Sequence, residues 1–207
     1  MEKIISIILV TFFLNVVFFQ NGFAQEHRYG IKGGITFYQI HGKYVLVQGG
    51  ERTDLDSHHV SGIEAGFFAE FRVNKMFSIQ PEVVFAQKGG SSITSLDVQK
   101  DINLNYIDLP VLLKFRVPVT QKFIPYIFGG PYGSILVRAQ VDLGEYGSDT
   151  ITDQYTKLTY GVKVGVGVEI GRFIIDGRYD LGISEIYKED GSDEYVRGFV
   201  ISISRLF

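Results

Sequence analysis

The sequence predicts an all-β fold: an eight-stranded antiparallel transmembrane β-barrel with a polar, charge-paired lumen. Three observations carry this expectation. After Gln25 no apolar stretch reaches the 18 or more residues of a membrane helix. Eight segments instead alternate apolar and polar residues with period two, the pattern of strands with one greasy and one polar face. The connections between them alternate long and short, as in outer-membrane barrels, whose long loops face outward.

Composition narrows the function classes. The chain has 207 residues and a formal charge of −3, so it lacks the concentrated basic surface that nucleic acid requires. It contains no Cys, which excludes disulfide scaffolds, thiol catalysis, Cys-based zinc sites and a lipidated N-terminal Cys. With 24 Gly, 14% aromatic residues and only 5 Pro, the composition suits a β-rich protein.

The first 24 residues read as a cleaved signal peptide. Lys3 precedes a nearly continuous apolar run from Ile4 to Phe19, and Gly22-Phe23-Ala24 places small residues before Gln25. That run is shorter than the ~20 residues of a spanning helix, which disfavours an uncleaved anchor. Residues 25–207 then form the barrel domain, exported to the outer membrane.

The strands follow in order. Tyr29, Ile31, Ile35 and Phe37 alternate with Gly30, Lys32, Gly34 and Thr36. Ile63 through Val73 oppose Glu64, Gly66, Phe68, Glu70 and Arg72. Phe77, Ile79, Val83 and Phe85 oppose Gln80, Glu82 and Lys88. Ile107, Leu109, Val111, Leu113 and Phe115 oppose Tyr106, Asp108, Lys114 and Arg116. A fifth segment, Phe123 to Arg138, is aromatic and Gly-rich, without a clear register. Tyr160 to Ile170 opposes Lys163, three glycines and Glu169, and Phe173 to Ile183 opposes Asp176, Arg178, Asp180 and Gly182. The last runs from Phe199 to the terminal Phe207. Long connections are expected at His41–Val60, Gly89–Asn103, Ala139–Thr156 and Glu185–Glu194, and tight turns at Asn74-Lys75, Pro118–Lys122 and Gly171-Arg172.

Alternation alone leaves orientation open, since a soluble lipocalin-like barrel turns the apolar face inward around a ligand. Steric room favours the opposite. An eight-stranded interior is just wide enough for side chains, and the glycines cluster on the polar parity. The charges on that parity have both signs: Lys32, Arg72, Lys88, Lys114, Arg116, Lys163 and Arg178 with Glu64, Glu70, Glu82, Asp108, Glu169, Asp176 and Asp180. Such a set can pair internally, as buried charges must. Phe207 matches a C-terminal signal for the barrel assembly machinery. Pro81, Pro110, Pro125 and Pro131 sit inside expected strands, where bulges or strand ends are needed to absorb them.

Several segments resemble the PorT-type family of small outer-membrane β-barrels. They are Tyr29-Gly30-Ile31-Lys32-Gly33-Gly34-Ile35, Gln80-Pro81-Glu82, Tyr106 to Lys114, Pro125-Tyr126 with Gly129-Gly130-Pro131, Tyr160-Gly161 leading into Gly165-Val166-Gly167, and Arg178 to Gly182. The resemblance implies a Gram-negative outer-membrane barrel, with outer-membrane lipid as its surroundings and an envelope or secretion protein as a partner. It implies no catalytic residue. It also accounts for the prolines, which family members carry at these places.

The residues offer weak enzymatic candidates. His58, His59 and Asp56 fall in one loop, but adjacent His residues of an extended chain point apart, a poor metal spacing. Ser57 and Ser61 lack an evident base. No cofactor, metal or catalytic activity is expected. An outer-membrane enzyme with a loop or rim site stays as the alternative to a scaffold. The acidic loops, with Asp142, Glu145, Asp149 and Asp153, then Glu185, Glu189, Asp190, Asp193 and Glu194, are the better recognition candidates.

Overall fold

A computed structural model describes residues 27–41, 43–45, 52–54, 60–93, 99–117, 119–120, 122–142, 148–150, 152, 155–186 and 195–207. The expected signal segment lies outside them. The strands are β1 (His27–His41), β2 (Lys43–Val45), β3 (Arg52–Asp54), β4 (Val60–Arg72), β5 (Phe77–Ile93), β6 (Gln99–Arg116), β7 (Phe123–Asp142), β8 (Ser148–Thr150), β9 (Leu158–Ile170), β10 (Phe173–Gly182) and β11 (Tyr195–Leu206).

Eight of them close a ring in the order β6-β5-β4-β1-β11-β10-β9-β7, with β7 returning to β6. Closure between the ends of the chain is a long antiparallel ladder, from Gly30 opposite Leu206 to His41 opposite Tyr195. The remaining pieces are accessory: β2 pairs with β3, and β8 extends the outer end of β7. A closed ring leaves no strand edge, so its strands satisfy one another's backbone groups within lipid.

The pleat sorts side chains as the alternation dictates. Phe67, Val164 and Ile201 point outward and are 69%, 44% and 48% exposed, while Glu64, Lys163 and Ser202 on the other parity are buried. The greasy wall is therefore the outer surface. A soluble barrel with its apolar face inward is excluded by this arrangement.

The glycines of the luminal parity have a specific use. Directly opposite Gly30, Gly161, Gly165, Gly167 and Gly198 stand Phe68, Tyr132, Phe128, Tyr126 and Tyr38. A Cβ on any of these glycines would fall under 3.0 Å from the facing ring. Each ring thus lies flat over a bare stretch of neighbouring backbone, and the narrow interior gains room for long charged side chains.

Tight turns close the end where His27 and Phe207 also lie. The Asn74 side-chain oxygen accepts the N–H groups of Met76 and Phe77, each at 2.8 Å. Thr120 Oγ1 accepts the Phe123 N–H at 3.0 Å. Gly171 turns β9 into β10 with φ of 63°, a backbone conformation that favours Gly.

Three local features differ from the sequence expectation. The β5–β6 ladder continues out to Ile93 opposite Gln99, so much of the expected loop Gly89–Asn103 is strand. Likewise β7 runs to Asp142. Alternating hydrophobicity stops where lipid stops, whereas backbone hydrogen bonding does not. The prolines make no bulge: pairing of β5 with β6 lapses after Pro81–Val111 and resumes at Val84–Asp108 in the same register. The β6–β7 ladder lapses in the same way across Pro131, while Pro125 sits near the start of β7. The register shift instead falls between Asn105 and Tyr106, where Val137 is the extra residue, between partners Leu136 and Arg138. That bulge flips the inward parity from even to odd, leaving Ala139 and Val141 buried, and it explains why the fifth segment has no single register.

Placing a cation on the lipid face breaks this sorting. Val164→Arg and Ile201→Arg are each expected to destabilise the barrel by about 2–4 kcal/mol near the bilayer midplane, measured by denaturant titration from lipid vesicles.

Candidate functional site

The lumen holds the candidate site residues. Lys32, Glu64, Glu70, Glu82, Lys88, Asp108, Lys114, Arg116, Lys163, Glu169, Asp176, Arg178 and Asp180 are at most 6% exposed. Arg72 is half-buried, at the tight-turn end. The luminal charges fall mainly into two groups along the barrel axis.

The central group is charge-balanced. Lys163 reaches from β9 to Asp108 on β6 at 2.8 Å and to Asp180 on β10 at 2.6 Å. Lys88 pairs with Asp108 at 2.8 Å, and the Ser134 hydroxyl donates to the same carboxylate at 2.6 Å. Arg178 crosses the lumen to Glu64 on β4 and lies 3.5 Å from both Glu82 and Asp180. Lys32 bonds Glu82 at 3.2 Å, with the Gln80 amide donating to Glu82 at 2.6 Å. The Tyr38 hydroxyl donates to Asp180 at 2.5 Å. Lys32, Lys88, Lys163 and Arg178 thus meet Glu64, Glu82, Asp108 and Asp180. Lys163–Asp108, Arg178–Glu64, Arg178–Glu82 and Lys32–Glu82 join strands that are not neighbours, so they fill the cross-section as well as neutralising it.

The second group lies toward the tight turns and is cation-rich. Arg28, Lys114 and Arg116 surround Glu70 and Glu169. Arg28 lies 2.8 Å from Glu70 and 2.9 Å from Glu169. Lys114 lies 3.2 Å from Glu169, Arg116 Nε donates to Glu169 at 2.9 Å, and Arg116 also pairs with Glu70. Arg72 Nε approaches Glu70 at 3.7 Å. Asp176 stands apart, accepting from the Ser202 hydroxyl at 2.8 Å. Arg28 was absent from the sequence expectation. Extending the Gly30–Lys32 parity one step toward the N-terminus would have found it.

Rings seated on glycines, together with Tyr106, also support the lysines. Lys88 Nζ lies 4.9 to 5.6 Å from the Tyr38, Tyr106 and Tyr132 ring centres, and Lys114 Nζ lies 4.0 Å from that of Tyr126. These cation–π contacts act in a desolvated interior, where they are strongest.

Toward the long connections the lumen is apolar rather than charged. Tyr38, Ile40, Leu104, Leu136, Val141, Tyr155, Ile186 and Val196 belong to one buried cluster. Beneath it, beside Lys88, Tyr106 and Tyr132, a void of about 10 Å³ has room for one water at most. A charge-filled lumen was expected throughout. The apolar plug lies beyond the segments whose alternation was readable, because β1 and β6 extend past them.

Of the weaker candidates, Ser61 is exposed; of the remaining histidines, His27 stacks edge-on against Phe71 at 5.3 Å and His41 is exposed. Ser57, His58, His59 and Asp56 lie outside the described residues, as do most of the acidic loop positions.

A closed antiparallel ring, a greasy outer wall and a packed, charge-paired lumen define a bacterial outer-membrane β-barrel. The family model "Outer membrane protein beta-barrel domain" matches residues 23–188, and the chain belongs to that family. No curated protein matches it. Among solved structures, the outer membrane protein OprG of Pseudomonas aeruginosa is similar with a TM-score of 0.54 and 11% identity, covering 88% of this chain and 97% of its own. Neisserial surface protein A aligns with TM-score 0.49 and 12% identity over 86% and 97%. The attachment invasion locus protein Ail of Yersinia pestis aligns with 0.43 and 16% over 88% and 99%. The OprG likeness supports the fold alone.

Removing one central cation strands its carboxylates. Lys163→Met is expected to cost about 3–5 kcal/mol of unfolding free energy. Adding Asp180→Asn, which leaves Asp108 paired with Lys88 and Arg178 paired with Glu64 and Glu82, should recover most of the loss, as read from unfolding titrations of the barrel in vesicles.

Proposed function

We propose that this protein is a closed, non-enzymatic barrel whose work is done at its ends, as a structural and recognition scaffold. The carrying observation is the filled cross-section: Lys163 between Asp108 and Asp180, and Arg178 reaching across to Glu64, occupy the space a pore would need. A permeating ion would have to break paired charges in a low-dielectric interior, which costs several kcal/mol for each ion left unpaired. Surface connections of a barrel are suited to recognition, and the acidic residues of 139–156 and 185–194 favour cationic groups.

The resemblance to PorT-type barrels supports a narrower role as an accessory to protein export. Within its segment Tyr106 to Lys114, the residues Tyr106, Asp108 and Lys114 are buried luminal residues. That motif therefore speaks for shared interior packing, and the export role stands on the resemblance by itself.

Two outcomes test this reading. In planar bilayers the folded protein should show little or no conductance, and large, stable single-channel steps would refute the filled lumen. Phe207, exposed at the end of β11 with its N–H bonded to the Tyr29 carbonyl at 2.9 Å, is the proposed assembly signal. Phe207→Ser should leave refolding into vesicles intact, while lowering the heat-modifiable folded fraction recovered from cells several-fold.

A further inference from the structure

The tight-turn end carries a repeated arrangement on its outside. Lys75, Lys122 and Arg172 are exposed in the three tight turns, just ahead of Phe77, Phe123 and Phe173 at the starts of β5, β7 and β10. Arg205 is exposed on the outward parity of β11, opposite Ile31 of β1 and Phe173 of β10. Around the ring these four mark the β4–β5, β6–β7, β9–β10 and β11–β1 junctions, one cation for every two strands. Phe77, Phe123, Phe173 and Phe207 form an exposed apolar band beside them. The carboxylates at this end, Glu70 and Glu169, are buried and bound by Arg28, Lys114 and Arg116. Among the described residues here, no acidic side chain is exposed.

We propose that Lys75, Lys122, Arg172 and Arg205 form a collar that binds the phosphate headgroups of anionic phospholipid in the periplasmic leaflet. Short turns of outer-membrane barrels face the periplasm, so the collar lies at that leaflet. Cations on flexible stems just beyond an aromatic band sit at the depth of lipid phosphates, with their methylenes against the apolar wall. Their distribution around the ring selects the occupant. A leaflet surrounds the barrel and meets all four positions, whereas a compact protein would meet one side. The collar also continues the lipid-facing wall without a break. The opposite end differs in kind, since residues 139–156 carry four carboxylates and no Lys or Arg, and residues 185–194 carry five carboxylates and one Lys.

Boundary-lipid selectivity tests the collar. The barrel is folded into phosphatidylcholine bilayers, and spin-labelled phosphatidylglycerol and phosphatidylcholine are compared for immobilisation at the protein surface. Phosphatidylglycerol should be favoured roughly fivefold or more at low ionic strength, and much less in 1 M salt. Replacing the four cations (Lys75→Gln, Lys122→Gln, Arg172→Gln, Arg205→Gln) should abolish the preference while heat-modifiable gel mobility reports a folded barrel. If that variant does not fold, Lys75→Gln with Lys122→Gln should remove about half of the preference. Equal association of both lipids with the unsubstituted protein, or a preference surviving the substitutions, overturns the proposal. Indifference to phosphatidylglycerol combined with collar-dependent binding of soluble polyglutamate would assign the collar to an acidic protein instead, and equally overturn it.

Discussion

The structure depends on one constraint: an eight-stranded ring encloses only enough space for side chains, and much of what fills it here is charged. Charges removed from water must meet partners, so the central cations and carboxylates are matched in number and bridge across the lumen. Room for those bridges comes from the glycines. Gly198 lets Tyr38 lie flat, and the Tyr38 hydroxyl then holds Asp180, which also holds Lys163. Gly161 seats Tyr132, whose ring flanks both Lys88 and Lys163. Backbone spacing, ring packing and ion pairing are therefore successive steps of one arrangement, and loss of the first disturbs the last.

Along the axis the barrel is asymmetric. An apolar cluster plugs the end with the long connections, balanced ion pairs occupy the middle, and a cation-rich group lies by the tight turns. The outside follows the same direction, with cations at the tight turns and carboxylates concentrated in the long connections. A barrel of this kind presents two chemically different faces to the two sides of its membrane while its middle stays closed. The recognition role we propose is thereby separated from the wall that would carry it.

Much of this was legible because a strand has only two faces. Once Gly30, Lys32, Glu64 and Lys163 are seen to share a parity with crowded glycines, steric room alone puts them inside. Arg28 escaped because it precedes the first clear alternation. The apolar plug escaped because Ile40, Leu104 and Val141 belong to strand extensions whose pattern no longer reports lipid on one side. The prolines misled in the other direction. Pro81 and Pro131 suggest bulges, yet the ladder lapses beside them and resumes in register, while the actual bulge at Val137 carries no sequence signal.

The amino-acid order alone determined which side chains face lipid and which face the lumen, since period two is a local property of each strand. It also determined that the luminal charges could pair, because both signs occur on one parity. Which cation meets which carboxylate was decided only by closure of the ring. Arg178 finds Glu64 across two intervening strands, and Arg28 joins Glu70 on β4 to Glu169 on β9. Those meetings depend on the stagger of every ladder between them, and no single segment contains that information.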